Sequence, residues 1–444
     1  MRLATAFALA AVLAAPALAQ TAPPGRVLVH CGTLLDPAAS DEPLRERTVV
    51  VEGGVVAAVE AGYTAAGGAD EAVDLRGATC MPGLIDMHTH LTSESRRGGY
   101  IDDFRLGPAD KAFRAAQHAL STVLAGFTTV RDLGGSEGVD LALRDAIARG
   151  DVVGPRVFTA GKSLSITGGH ADPTNSYRED IVGVPTETLG VVDGVDSARR
   201  GARIAIKRGA DVVKITATGG VLSLQGDGSG PHFTEDEIRA IVETAADRGL
   251  KVAAHAHGDE GMQRAIRGGV ASIEHGTYMS DETMRMMRER GVYLVPTITA
   301  GKSVADSARI AGYYTPRVTE KSLEIGPLIQ DTFRRAWAAG VPIAFGTDAG
   351  VFRHGRNANE FVYMEEVGVP FMDALRFATA NAADLLGRGG ELGSLQPGFA
   401  ADLVAVAGDP LTDAAAMRDV AFVMKGGAVL KRDGRFVPPP PRPR

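Results

Sequence analysis

Two histidines one residue apart, His88 and His90, stand in the stretch Asp86-Met87-His88-Thr89-His90. In an extended strand such residues project to the same side, so both imidazoles can face one cation. That spacing alone is weak evidence. Lys214, inside Val212-Val213-Lys214-Ile215-Thr216, adds to it, because an ammonium within an apolar strand is costly unless paired or neutralised. Lys214 can be held by a salt bridge across the strand ends. It can also carry a carbamate made from carbon dioxide, an anion whose two oxygens bridge a pair of metal ions. Further imidazoles follow in Ala254-His255-Ala256-His257-Gly258 and in Glu274-His275-Gly276, and spacing leaves both His255 and His257 open as the inner donor. Glu274 can orient a neighbouring ring or form an ion pair outside the site. Asp348 ends Phe345-Gly346-Thr347-Asp348, where it can bind a metal through one oxygen and take a proton from water with the other. Four histidines, a lysine and an aspartate, with no thiolate, make a nitrogen and oxygen donor set suited to divalent ions, zinc first among them.

These groups are spread from residue 88 to residue 348, so the fold must gather them. Each falls where a short apolar run ends and an amphipathic stretch begins. The runs are 84–88, 127–132, 157–161, 212–216, 252–257, 272–277, 293–297 and 343–348, and helical stretches such as 112–125, 196–208 and 235–248 lie between them. Eight such units predict an α/β fold, a (β/α)8 TIM barrel over residues 81–390, with its chemistry at the carboxyl ends of the strands. A doubly wound open sheet is the rival, but it does not account for polar residues at almost every strand end. Strand-like stretches at 26–31, 48–51 and 55–60 find counterparts only at 401–406, 422–425 and 428–431. The flanks, 20–80 and 391–437, are therefore expected to combine into one small β-sandwich domain, with the barrel inserted between them. Residues 438–444 form a proline-rich tail with nothing to bury.

A formal net charge of -7, with both signs mixed along the chain, excludes the concentrated basic stripe that a nucleic-acid partner would need. Residues 1–19 read as an export signal: Met1-Arg2, an apolar run over 3–18, then Ala17-Leu18-Ala19 before Gln20 as a small-x-small cleavage site. The run is too short for a comfortable membrane span, so no stable membrane association is expected. Cleavage near Ala19 would leave a periplasmic or secreted protein. Cys31 and Cys80 lie at the two ends of one flank segment; a disulfide and two buried free thiols are both open readings.

The stretch from Pro82 to His90, PGLIDMHTH, resembles the opening signature of the amidohydrolase superfamily. Val213-Lys214-Ile215, the later histidine and aspartate strands, Asn381-Ala382-Ala383, Gly393-Ser394-Leu395-Gln396-Pro397-Gly398 and Ala401-Asp402-Leu403 extend the resemblance over nearly the whole chain. The branch it resembles includes imidazolonepropionase-like proteins, prolidase-like dipeptidases and metallocarboxypeptidases. The resemblance implies two divalent metal ions. His88 and His90 would hold the more buried one, and His275 with His255, now preferred over His257, the more exposed one. Carbamylated Lys214 would bridge them, and Asp348 would complete the buried site and act as general base. It further implies that a hydroxide shared by the ions attacks a carbonyl carbon, and that Asp348 hands the proton to the leaving nitrogen. His170, in Thr167-Gly168-Gly169-His170, and His257 are implied catalytic or substrate contacts. Arg131, in Arg131-Asp132-Leu133-Gly134-Gly135, is an implied substrate contact unless it only pairs with Asp132. The implied substrate is a dipeptide or N-acyl amino acid losing its C-terminal residue, amino-acid-conjugated aromatic amides such as ochratoxin-like mycotoxins included. Export fits a scavenging peptidase better than an imidazolonepropionase. A cyclic amidase or deaminase would share the metals, and a non-catalytic exported binding protein would be expected to lack a ligand, which this chain does not. A homo-oligomer is the expected assembly.

Overall fold

The computed structural model describes residues 25–439 apart from 69, 136 and 225–227. The expected export signal at 1–19 and residues 440–444 of the proline-rich tail lie outside the described residues.

The chain opens with β1 (Val27–Leu34), β2 (Leu44–Glu52), β3 (Val55–Ala61) and β4 (Glu71–Pro82). It continues with β5 (Leu84–Thr89), β6 (Phe127–Asp132), β7 (Arg156–Thr159), β8 (Val213–Thr216), β9 (Val252–Ala256), β10 (Ser272–His275) and β11 (Tyr293–Val295). It closes with β12 (Leu403–Val406), β13 (Val420–Lys425), β14 (Ala428–Arg432) and β15 (Arg435–Phe436).

The first four and last four strands hydrogen-bond into one mixed sheet, in the order β15-β14-β13-β12-β4-β1-β2-β3. The two flanks combine into one domain, as the sequence suggested, and they are joined in a single continuous ladder. The joining strand is β4: residues 71–75 and 79–80 run parallel to β1, while 79–82 pair antiparallel with β12, through Cys80↔Ala405 and Met81↔Val404 among others. One strand thereby joins both ends of the chain. Val29, Cys31, Val49, Leu403, Phe422 and Met424 make up part of its apolar core. Cys31 and Cys80 are paired in a disulfide, with Cα atoms 5.9 Å apart, inside this core.

The seven middle strands are all parallel, β5-β6-β7 in one ladder and β8-β9-β10-β11 in another. Five of them, β5, β6, β8, β9 and β10, are buried along their whole length, as expected of parallel strands covered by helices on one side and packed side chains on the other, and β7 and β11 are partly exposed. Single parallel bridges connect the two ladders on both sides: Leu164, shortly after β7, pairs with Ile215 of β8, while Leu294↔Ile343 and Thr89↔Ala349 run through the segment 343–349. That segment, expected as an eighth strand, has no regular ladder. Only some of its backbone donors reach neighbouring strands, Ala344 N to Leu294 O of β11 at 3.0 Å and Asp348 N to His88 O of β5 at 2.7 Å, while Thr347 N goes to the Asp86 carboxylate at 3.1 Å. Gly346 permits this approach, since a Cβ there would stand 2.2 Å from Val295 and 3.1 Å from His88 N.

The covering helices begin and end on local signals. Thr234 caps the helix Glu235–Ala246, and Glu237 reaches back to the Thr234 N–H at 2.8 Å in a reciprocal capping box. The helix Pro108–Leu124 starts on proline at its first position and buries Ala115, Ala119, Thr122 and Val123 on one stripe. None of the helices among the described residues is long and apolar enough to cross a membrane.

Candidate metal centre

His88 lies near the end of β5 and is 1% exposed. Its Nδ1 is 2.9 Å from Glu274 Oε2 on β10, so the carboxylate keeps the ring proton on Nδ1 and leaves Nε2 as a bare lone pair. His90 follows the same pattern: its Nδ1 faces Gly134 O at 3.0 Å, which turns Nε2 inward. Both Nε2 atoms approach Asp348 Oδ1, at 3.7 Å from His88 and 3.3 Å from His90. That oxygen is buried and has no hydrogen-bond partner. Two ring lone pairs and an unpartnered carboxylate oxygen thus point at one another, and all three donor atoms lie within 4.8 Å. Such a group is stable only around a positive charge, and its donors suit a divalent ion. Burial opposes a charge on His90, yet the facing Asp348 outweighs it and raises the ring's pKa above the usual histidine range. Asp348 is held below the usual carboxylate range: burial works against its charge, but His88, His90 and Lys214 prevail.

Lys214, on β8, is 3% exposed, and its Nζ is 3.4 Å from His88 Nε2. Burial pushes its pKa down to about 8, although Glu274 and Asp348 pull the other way. The remaining imidazoles stand beyond it. His255 Nε2 faces Gly219 O at 3.0 Å, which frees Nδ1. His275 and His257 each turn Nδ1 to a threonine hydroxyl, Thr297 and Thr277, at 2.7 Å. Ring centroids of His255 and His275 are 4.6 Å apart, and those of His88 and His275 5.0 Å. Burial, reinforced by neighbouring rings, keeps His255 and His275 well below the usual histidine range, so they are neutral and able to donate to a metal.

His170 stacks on His255 at 4.4 Å, and its buried Nδ1 has no partner. Gly220 makes room for it, because a Cβ there would stand 2.2 Å from the His170 ring. The strand ends also carry backbone strain. His275, Thr297 and Asp348 have φ values of 73°, 55° and 60°, left-handed conformations that cost non-glycine residues about 1–3 kcal/mol each. The strained turns aim these three side chains into the site.

The structure therefore brings His88, His90 and Asp348 into one tight cluster, and places Lys214, His170, His255, His257 and His275 around the same cavity of about 340 Å³. Arg131 is a correction. The sequence suggested a substrate contact or a pair with Asp132. Instead its Nε donates to Met87 O at 2.7 Å, Nη1 to Ser272 Oγ at 3.1 Å and Nη2 to Glu274 Oε1 at 2.8 Å. Asp132 accepts from Leu91 N at 2.6 Å. Arg131 thus sits under the histidines and holds Glu274, which holds His88. The sequence reading missed the hydroxyls of Thr277 and Thr297, which hold His257 and His275 from the ends of neighbouring strands. It also missed the apolar wall of the cavity, formed in part by Val304, Ile325, Ile329 and Val351. A second cluster, Glu94, His118 and His354, gave no sequence signal because its members come from three distant segments.

Residues 79–430 match the Amidohydrolase family, and the chain belongs to it. Within that superfamily it falls in the prolidase, imidazolonepropionase and ochratoxinase branch. It is similar to ochratoxinase of Aspergillus niger, at 32% identity over 432 residues, covering 92% of this chain and 87% of that protein. Its fold superimposes on the crystal structure of a Xaa-Pro dipeptidase with methionine bound in the active site, with a TM-score of 0.89 and 44% identity, covering 92% of this chain and 100% of that one. A prolidase complexed with N-methylphosphonate-L-proline matches with a TM-score of 0.84 and 32% identity, over 92% of this chain and 100% of that one. The chain is an enzyme, a metal-dependent hydrolase of this family.

Proposed function

We propose that this enzyme is a binuclear-metal amidase that releases the C-terminal amino acid from dipeptides or N-acyl amino acids. The observation that carries the reading is the convergence of bare ring nitrogens and the orphaned Asp348 Oδ1 at the ends of parallel strands. We read the two parallel ladders and their connecting bridges as one closed (β/α)8 barrel, with these residues at its mouth. His88, His90 and Asp348 would hold one ion, and His255 and His275 the other, with zinc the best match to the donors. Lys214 is suited to bridge them as a carbamate. Its depressed pKa makes the neutral amine accessible, and that amine adds to carbon dioxide with loss of a proton. When bound, the ions supply Lewis-acid polarisation of the scissile carbonyl and a lowered pKa for the attacking water.

The chain's own groups do the rest. Asp348, ionised at neutral pH, takes the water's proton and returns it to the leaving nitrogen. His170, through its unpartnered Nδ1, and His257 reach the polar groups of the substrate. Val304, Ile325, Ile329 and Val351 offer an apolar wall to an uncharged side chain or acyl group. Two of the similar structures, a Xaa-Pro dipeptidase with bound methionine and a prolidase with N-methylphosphonate-L-proline, hold an amino acid or an amino-acid derivative. The Cys31–Cys80 disulfide supports delivery to an oxidising compartment outside the cytoplasm. The test is a screen of the metal-loaded enzyme against dipeptides, N-acyl amino acids, lactams and aminopyrimidines, with free amino acid and ammonia measured separately. Release of amino acid from the first two classes is expected. Ammonia release, or turnover of lactams alone, would move the enzyme to the deaminase or cyclic-amidase reading.

A further inference from the structure

Directly after His90, residues 91–94 wrap two more imidazoles. Leu91 O is 2.9 Å from His118 Nδ1, on the helix Pro108–Leu124, and Ser93 O is 2.9 Å from His354 Nε2. Each carbonyl fixes the ring proton on the nitrogen it faces, so His118 Nε2 and His354 Nδ1 are left as lone pairs. The rings stack at 4.4 Å with 20° between their planes. Glu94 joins them: its Oε2 accepts from the His354 backbone N–H at 3.0 Å, and one carboxylate oxygen lies with a nitrogen of each ring inside a 4.8 Å group. His354 is 4% exposed, and its Nδ1 is buried without a hydrogen-bond partner. A buried lone pair with nothing to accept is costly, and a bound cation removes that cost.

We infer that Glu94, His118 and His354 form a further divalent-metal site, separate from the hydrolytic centre and sharing no ligand with it. Two imidazole nitrogens and a carboxylate oxygen suit zinc or a similar borderline ion. Glu94 and His118 also line a large open cavity of about 1230 Å³, through which an ion can enter and a water can fill the remaining position. The ion ties three segments together: the loop after β5, the middle of the helix Pro108–Leu124, and the loop after Asp348. Because Glu94 follows His90 by four residues and His354 follows Asp348 by six, it braces the two strand ends that supply the buried hydrolytic ligands. The inference does not rest on the proposed amide hydrolysis.

The test uses the whole enzyme, stripped by chelator, reloaded with zinc and desalted, with metal content and thermal melting read on one sample. His118→Asn and His354→Asn are each expected to retain about one equivalent less per chain than the parent. Their melting temperature should also rise less on zinc loading. Glu94→Gln keeps an acceptor for the His354 N–H, so it should fold normally and still lose the same equivalent. Variants of His88 lose metal from the hydrolytic centre instead, which separates failure there from failure here. Equal metal content in the parent and all three variants would overturn the inference. So would zinc-loaded crystals of the parent with no anomalous scattering between these side chains.

Discussion

Arg131 and Glu274 meet at 2.8 Å directly beneath His88, both sealed from solvent at 2% and 0% exposure. Burial works against the Glu274 charge, but Arg131 and then His88 overcome it and hold the carboxyl at about 2. Arg131→Met removes the cation and keeps an apolar stem, leaving a buried charge uncompensated. A loss of about 3–5 kcal/mol in stability is expected, together with weaker metal retention as His88 loses its fixed orientation. Denaturant unfolding and metal analysis of the variant check this. A raised KM with stability and metal content unchanged would instead return Arg131 to the substrate.

His255 and His257 differ in which nitrogen is free and in what surrounds it. His255 packs between His170 and His275, whereas His257 stacks on His275 at 5.0 Å. His255→Ala is expected to lower metal content, while His257→Ala keeps the metal and raises KM or lowers turnover. Metal analysis of the two purified variants decides it, and the reverse pattern would exchange their roles.

Lys425 joins the flank sheet to the segment before β7 by donating to Gly154 O at 2.6 Å. Burial, aided by Arg156, pushes its pKa to about 8, below the roughly 10.4 of an unfolded chain. Between these values the unfolded chain holds a proton that the folded chain has released, so stability rises with pH. Relative to a Lys425→Met variant, the parent should gain on the order of 3 kcal/mol between about pH 8 and pH 10.4. Paired denaturation curves across that range measure it. A constant difference between parent and variant would show that Lys425 does not titrate this way.

Much of this site was legible in the sequence because its donors end short apolar runs, where alternation along an extended strand fixes which side chains share a face. His88, His90 and Asp348 were readable in this way, and so was Lys214 as a charge set among apolar residues. Arg131 was misread. Its partners Ser272 and Glu274 are more than 140 residues away, and only the register of parallel strands brings them beneath the same ring. The pairing of the two flanks was legible in their strand composition, but which strand joins them was not: β4 pairs with β1 on one side and β12 on the other. The segment 343–349 reads as a strand by composition, but Asp86 captures the Thr347 N–H and the left-handed turn at Asp348 ends the extended run.

The central claim is that Asp348 both holds a metal and moves the proton, and Asp348→Asn tests it most directly. Asparagine keeps the size and one oxygen but removes the basic carboxylate. The measurement is turnover per bound metal pair, with metal content and melting temperature taken on the same sample. The account predicts both ions retained and turnover lowered by about 10²- to 10⁴-fold. Turnover per loaded site equal to that of the parent would contradict it.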